Sequence, residues 1–158
     1  MTWENGTMAV LRRLLDWPPI WLMAFLALVW GLDRVLPWGL FGPAGKTVGA
    51  GLALVGLTLM VAAVVQMRLA RTTIIPRRQP GTLMTGGVFR LSRNPIYLGD
   101  ALVLAAAILW WDVPLAAPLL PVFMLIIQFR FILGEEDRLR AGFGAAFADW
   151  SRRTRRWI

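Results

Sequence analysis

The run Thr47–Met67, TVGAGLALVGLTLMVAAVVQM, carries no charged residue from end to end. An α-helix needs about 20 residues to cross the ~30 Å hydrocarbon core of a bilayer, and this run supplies them without interruption. In hydrocarbon every backbone N–H and C=O must find its partner within the segment, so the run predicts a membrane-spanning helix. Gly45, Gly49, Ala53 and Gly56 recur at steps of three or four along it. Such spacing places small residues on one helix face and predicts close packing on a neighbour.

The same reading extends to both sides of this run. Trp17–Leu32 is charge-free, opens on Pro18 and Pro19, and continues past Asp33 and Arg34 towards Phe41. It reads as a first span, since no small-residue cleavage pattern follows it as in a secretory signal. Ala101–Trp111 is apolar but rather short, and it ends at Asp112, Val113 and Pro114 before a further apolar run reaches Phe129. Trp110 and Trp111 suit a membrane interface, so the last two segments predict an antiparallel hairpin. Pro118 and Pro121 are expected to disturb the start of its second arm. The expected fold is therefore all-α: one polytopic membrane domain over residues 1–158, with about four transmembrane helices and a C-terminal helical hairpin. A hydrophobic content of 58% with mean hydropathy +0.60 agrees.

Charge gives an independent reading of topology. Arg12 and Arg13 precede the first span; Arg68, Arg71, Arg77, Arg78, Arg90 and Arg93 lie between the second and third; Arg138, Arg140, Arg152, Arg153, Arg155 and Arg156 follow the fourth. With four spans all of these share one side, opposite Arg34 and Lys46. The positive-inside rule then places both termini and the loop before the third span in the cytoplasm, at an inner or plasma membrane. The net charge of +8 is thus accounted for by topology and anionic lipid, with no nucleic-acid partner. Cysteine and histidine are both absent. This removes disulfides, Cys/His metal sites and catalysis by thiol or imidazole, and no metal is expected.

Two polar stretches interrupt the apolar pattern. Gly81–Asp100 reads GTLMTGGVFRLSRNPIYLGD and holds the only tyrosine of the chain. Asn94 before Pro95 is a helix-start signal, with Asn able to accept an orphan backbone N–H and Pro suited to the first helical position. The free N–H groups of that turn suit an anion, and Gly86 and Gly87 allow close backbone approach. A plain loop followed by a capped helix has the same local features. The second stretch is Glu135, Glu136, Asp137, three acids at the cytoplasmic end of a membrane helix, where the dipole disfavours them. Pairing of Glu136 with Arg140 on a solvated helix is one reading. The other is that a carboxylate here meets the ammonium of an amino-acid-like ligand whose own carboxylate sits at the Asn94 helix start.

Taken together, LMTGGVFRLSRNPIYLG, then EEDRLRAGFGAAFADW and a final RRWI resemble the isoprenylcysteine carboxyl methyltransferase and phospholipid methyltransferase superfamily of integral membrane enzymes. The likeness covers residues 73–158. It implies S-adenosylmethionine as methyl donor, held at a cytoplasmic site between the loop and the glutamate pair. Leu83, Met84 and Phe89 fall at the family's loop contacts; Arg93, Asn94, Pro95, Ile96 and Tyr97 occupy its Arg-His-Pro-x-Tyr positions. Glu135 and Glu136 match the glutamate pair that holds the cofactor, with Glu135 the foremost contact, and Arg130 is the nearest match to a substrate-binding arginine. Asn94 stands where the family has histidine, Val88 where proline is common, and Trp150 where tyrosine is common. Asparagine forms hydrogen bonds but does not titrate near neutrality, so this position cannot serve as an acid or base.

What the resemblance implies is transfer of a methyl group to a lipophilic or small acceptor. Such chemistry is mainly positioning of two reactants, with a carboxylate or thiolate acceptor needing no base and an amine needing one. A lipophilic acceptor is expected to arrive sideways from the bilayer. Two other readings stay open: an NADPH-dependent sterol or ene reductase, whose relatives often carry an acid at the position of Asp100, and a non-catalytic scaffold of the same fold.

Overall fold

The computed structural model describes residues 15–72 and 81–158. Arg12, Arg13, Arg77 and Arg78 of the charge argument, and the start of the motif-bearing half at Thr73, lie outside these residues. Among the described residues the chain is all-helical. Helix α1 is Pro18–Val35, α2 is Gly42–Leu69, α3 is Pro95–Trp110, α4 is Leu119–Ile127 and α5 is Leu133–Arg153. A π-helical turn, Gln128–Ile132, carries α4 into α5 without a break, and short 3₁₀ turns occupy Gly87–Arg90 and Pro114–Ala116. Three stretches are long and apolar enough to cross a membrane: α1, α2 and the continuous Pro114–Arg153. Helix α3 is apolar but, at 16 residues, shorter.

Proline sets several of the helix starts. Pro18 and Pro19 open α1, Pro43 lies in the first turn of α2 and Pro95 opens α3, positions where the missing N–H has no partner to lose. Pro118 stands just before α4 and Pro121 in its first turn, so neither kinks it. The real irregularities come later, at the π turn and at Gly144, whose φ of +48° inside α5 is accessible at low cost only to glycine.

Helices α2 and α3 form the main pair. On α2 only Gly45, Gly49, Gly56 and Ala63 are buried, whereas Leu54, Val55, Leu57, Val61 and Val65 face outwards. Ala53 of the expected small-residue face is half-buried. A Cβ added at Gly49 would stand 2.8 Å from the Ala106 carbonyl oxygen, and one at Gly56 would stand 2.8 Å from that of Gly99. Small residues inside and large apolar ones outside suit packing in lipid, where close backbone approach replaces hydrophobic collapse. Helix α1 leans on α3 and α4. One core, including Phe25, Val29, Leu104, Phe123 and Ile127, joins these helices, and a second, with Ala63, Phe89, Phe147 and Trp150, closes the end that bears the motifs.

At the opposite end, Phe41 precedes α2 without a side-chain cap of its own. The cap comes from Asp112 in the α3–α4 turn. Its Oδ1 accepts the backbone N–H groups of Leu40 at 2.8 Å and Phe41 at 2.6 Å, and its Oδ2 accepts that of Gly42 at 2.9 Å. These hydrogen bonds from Phe41 and Leu40 hold the Asp112 carboxyl below its ordinary value. Asp112 itself is left-handed, with φ +57°, a conformation that aspartate tolerates better than most residues.

Two outcomes follow from this packing. Gly56→Leu drives a side chain into the α3 backbone and prevents the α2–α3 pair from closing, read as a fall in thermal midpoint and in monodisperse yield. Asp112→Ala lowers the thermal midpoint by an amount that stays constant from pH 7 to pH 5. The gap narrows below about pH 4, because a carboxylate with depressed folded-state pKa stabilises above its unfolded value and loses that contribution as pH falls through the folded one.

Candidate functional site

A cavity of about 530 Å³ opens at the motif-bearing end of the bundle, within the ~300–1,000 Å³ usual for small-molecule sites. Leu83, Met84 and Phe89 of the loop line it, together with the whole segment Arg93–Tyr97 and Glu135. The structure therefore brings nine of the ten expected cofactor-binding residues to one cavity. The tenth, Glu136, is not among the residues that line it. Arg130, matched to a substrate-binding arginine, is not in the wall; its Nε donates to the Leu15 carbonyl at 3.0 Å, its NH2 pairs with Asp16 at 3.4 Å, and its guanidinium lies over the Trp21 ring.

Glu136 organises the site from behind. It is 4% exposed and takes both Arg156 Nε at 2.9 Å and Arg156 NH2 at 2.7 Å, with Arg93 NH1 at 3.3 Å. The expected partner, Arg140, pairs with Asp137 instead. Burial lowers the Arg93 guanidinium from its ordinary value, opposed by Glu136 and reinforced by Arg156, while the hydrogen bond to Glu136 raises that of Arg156. Both remain charged at any physiological pH.

The C-terminal tail carries further ties. Arg93 N–H donates to the Arg155 carbonyl at 3.0 Å, and the Arg156 carbonyl accepts both Ser92 Oγ–H at 3.2 Å and Asn94 Nδ2–H at 3.0 Å. Trp157 Nε1 donates to the Gln128 side chain at 3.1 Å. Asn94 does precede helix α3 as the sequence predicts, but its side chain does not cap that helix. It holds the tail, and Ser92 Oγ accepts the Asn94 backbone N–H at 3.0 Å. The glycine pair also departs from expectation, since neither Gly86 nor Gly87 lines the cavity. Gly87, with φ +56°, lets the loop close on the Gln66 side chain of α2, which would collide with any Cβ there.

Within the cavity, Tyr97 Oη donates to Glu135 Oε1 at 2.7 Å, linking α3 to the start of α5. Trp150, which also lines the wall, donates its Nε1 to the Phe89 carbonyl at 3.3 Å and so fixes the loop against α5. Arg138, one helical turn after Glu135, reaches the wall as well. Two buried polar atoms on wall residues, Thr72 Oγ1 and Arg93 Nε, have no partner among the described residues. Sequence reasoning missed the apolar part of the wall: Leu22 and Met23 from α1, and Met60, Val64 and Met67 from α2. Nothing in their spacing separates them from lipid-facing neighbours; Arg138 was missed as well, although its i+3 relation to Glu135 was there to be read.

The walls thus offer acidic Glu135 and Asp100, basic Arg93 and Arg138, an apolar loop, and an apolar cleft between α1 and α2. This set fits a ligand that carries charge of both signs beside an apolar part. A family model described as phospholipid methyltransferase matches residues 45–146. No curated protein and no solved structure matches the chain.

Removing the Glu136 charge tests the support of the cavity. Glu136→Gln strands two guanidinium groups and destabilises the fold by about 3 kcal/mol, the lower end for breaking a buried ion pair because Arg156 is partly exposed. Arg156→Gln costs less and frees the tail, read as faster proteolytic cleavage after Arg153 with the rest of the chain intact.

Proposed function

The chain belongs to the phospholipid methyltransferase family, and from that premise we propose that it is an integral membrane methyltransferase whose cavity binds S-adenosylmethionine and a lipophilic acceptor. The observation that carries this reading is the two-sided cavity, charged where the loop and α5 meet and apolar where α1 and α2 part. Methyltransferases of this family generally use S-adenosylmethionine. The one-sided placement of the arginines supports a topology of four spans, with α3 as the short third one and the cavity mouth, like both termini, on the cytoplasmic side.

When bound, S-adenosylmethionine supplies an activated methyl group on a positively charged sulfur, so the protein's part is placement and exclusion of water. Arg93 and Asn94 would hold the carboxylate end of the donor. Glu135, fixed by the Tyr97 hydroxyl, would meet its ammonium. Leu83, Met84, Phe89 and Ile96 would enclose the apolar ring, with Trp150 behind them. Glu136 acts at one remove, by setting the position of Arg93. The acceptor's apolar part would lie between α1 and α2, against Leu22, Met60 and Val64, with its reactive head pointing inwards.

Calorimetric titration of the purified protein in nanodiscs tests this. S-adenosylmethionine and S-adenosylhomocysteine bind, and NADPH does not. Glu135→Gln and Tyr97→Phe each weaken S-adenosylhomocysteine binding by about tenfold or more, the worth of a hydrogen bond involving a charged group. Arg130→Ala leaves that affinity unchanged within about threefold, since Arg130 stands outside the wall. Intact affinity in both Glu135→Gln and Tyr97→Phe would remove the site assignment.

A further inference from the structure

Arg130 lies in the π turn between α4 and α5, outside the cavity wall, and the arrangement above gives it no task. An arginine near the end of a membrane helix ordinarily stretches its guanidinium towards the headgroups. This one is turned onto the chain that leads into α1. Its Nε donates to the Leu15 carbonyl at 3.0 Å, its NH2 meets Asp16 Oδ1 at 3.4 Å, and its guanidinium lies 5.7 Å from the centre of the Trp21 ring. Trp21 Nε1 donates to the same Leu15 carbonyl at 2.9 Å. Backbone, acid and ring thus close on one cation. The flank of α1 on which they do so decides the effect. Each helical residue is turned by about 100° from the last, so Met23, two residues after Trp21, points to nearly the opposite flank. Met23, Pro19 and Leu22 line the cavity across from Met60 and Val64 of α2. Between the two flanks Phe25 and Val29 seat α1 on the core, with the Phe25 ring edge-on to Phe123 of α4 at 5.3 Å. Among the described residues no hydrogen bond or ion pair joins α1 to α2. Helix α1 is held from behind, and its cleft side is unattached.

We propose that Arg130 is a positioning residue for the acceptor: by pinning the start of α1 to the π turn it holds α1 away from α2 and keeps the apolar cleft wide enough for an alkyl chain. This rests on the methyltransferase reading, to which it adds how the acceptor's chain is admitted. In lipid, helices associate through van der Waals contact, so two apolar faces with nothing between them close unless something holds them apart. Met23 and Met60 make closure easy, because an unbranched thioether side chain repacks at little cost. The contacts at Leu15, Asp16 and Trp21 supply the opposing restraint, at the end of α1 that borders the cavity. Arg130 therefore acts on the acceptor side through α1, without touching either ligand.

The chain has no cysteine, so a pair of spin labels can be placed without background. Ala24→Cys on α1 and Val65→Cys on α2 are both exposed and outside the cavity wall, and pulsed electron resonance on the full chain in nanodiscs reads the distance between them. Arg130→Ala shortens that distance by about 3 Å or more, the approach that brings apolar side chains across an open cleft into contact. Arg130→Lys, which keeps a cation beside Asp16 and over the Trp21 ring, returns most of it. Trp21→Leu shortens it in the same way and replaces Arg130→Ala if that variant does not fold. S-adenosylhomocysteine affinity changes by less than about threefold in each. The direction separates this role from a merely structural one, since general loosening of the bundle lengthens or broadens the distance. An unchanged, longer or only broader distance in Arg130→Ala and Trp21→Leu overturns the proposal, as does a loss of S-adenosylhomocysteine affinity in Arg130→Ala beyond threefold. Failure of S-adenosylhomocysteine to bind the wild type instead strikes the methyltransferase reading, and the label distances, which need no cofactor, still decide whether Arg130 holds the cleft open.

Discussion

The Glu136 carboxylate, shared between Arg93 and Arg156, is the interaction on which the site depends. It joins three pieces of chain that no helix ladder connects: the loop before α3, the start of α5 and the C-terminal tail. Each alone has little reason to adopt its shape, since the loop has only a short 3₁₀ turn and the tail beyond Arg153 has no helix. A carboxylate removed from water needs nearly all of its oxygen lone pairs met, and two guanidinium groups in fixed positions meet them. The cost of burying the charges is offset only when all three pieces are in register. The geometry of Arg93, and with it one wall of the cavity, is a by-product of that requirement.

Around this cluster the neutral hydrogen bonds run in the same direction. Asn94 and Ser92 reach the Arg156 carbonyl, Arg93 N–H reaches that of Arg155, and Trp157 reaches Gln128 in the π turn. An uncharged side chain at position 94 is well suited to such a role, because its amide donates to the tail at every pH. The substitution of the family's histidine thus has a structural reading that requires no proton transfer. Tyr97 and Trp150 continue the pattern by linking α3 and the loop to α5.

Much of this fold was legible from residue type alone, because the bilayer imposes a length and a composition on any span. The α2 run, the Pro95 start of α3, the turn at Asp112 and the inward face of Gly45, Gly49 and Gly56 all follow from local rules. Arg93, Asn94, Tyr97 and Glu135 of the cavity's polar wall were legible too, through two motifs read together. What was not legible is partner choice across distance. Glu136 has a local candidate in Arg140, and only the folded chain brings Arg156 to it; Asp112 reads as a turn residue, and only the folded chain puts it on another helix. The apolar wall was hidden for a different reason: Met60 and Val64 face a cavity, and Leu57 and Val61 face outwards, yet all four meet the same compositional demand.

The tie between Asp112 and the start of α2 makes the bundle mechanically one-sided. Three hydrogen bonds hold α2 to the α3–α4 turn at one end, while the cavity separates α1 from α2 at the other. From Gly42 to Met67 the helix is roughly 39 Å long, so a displacement of roughly 3–4 Å at its cavity end corresponds to a tilt of only about 5°. That is the difference between a closed seam and a gap the width of a single hydrocarbon chain, obtained without breaking any hydrogen bond within the helix.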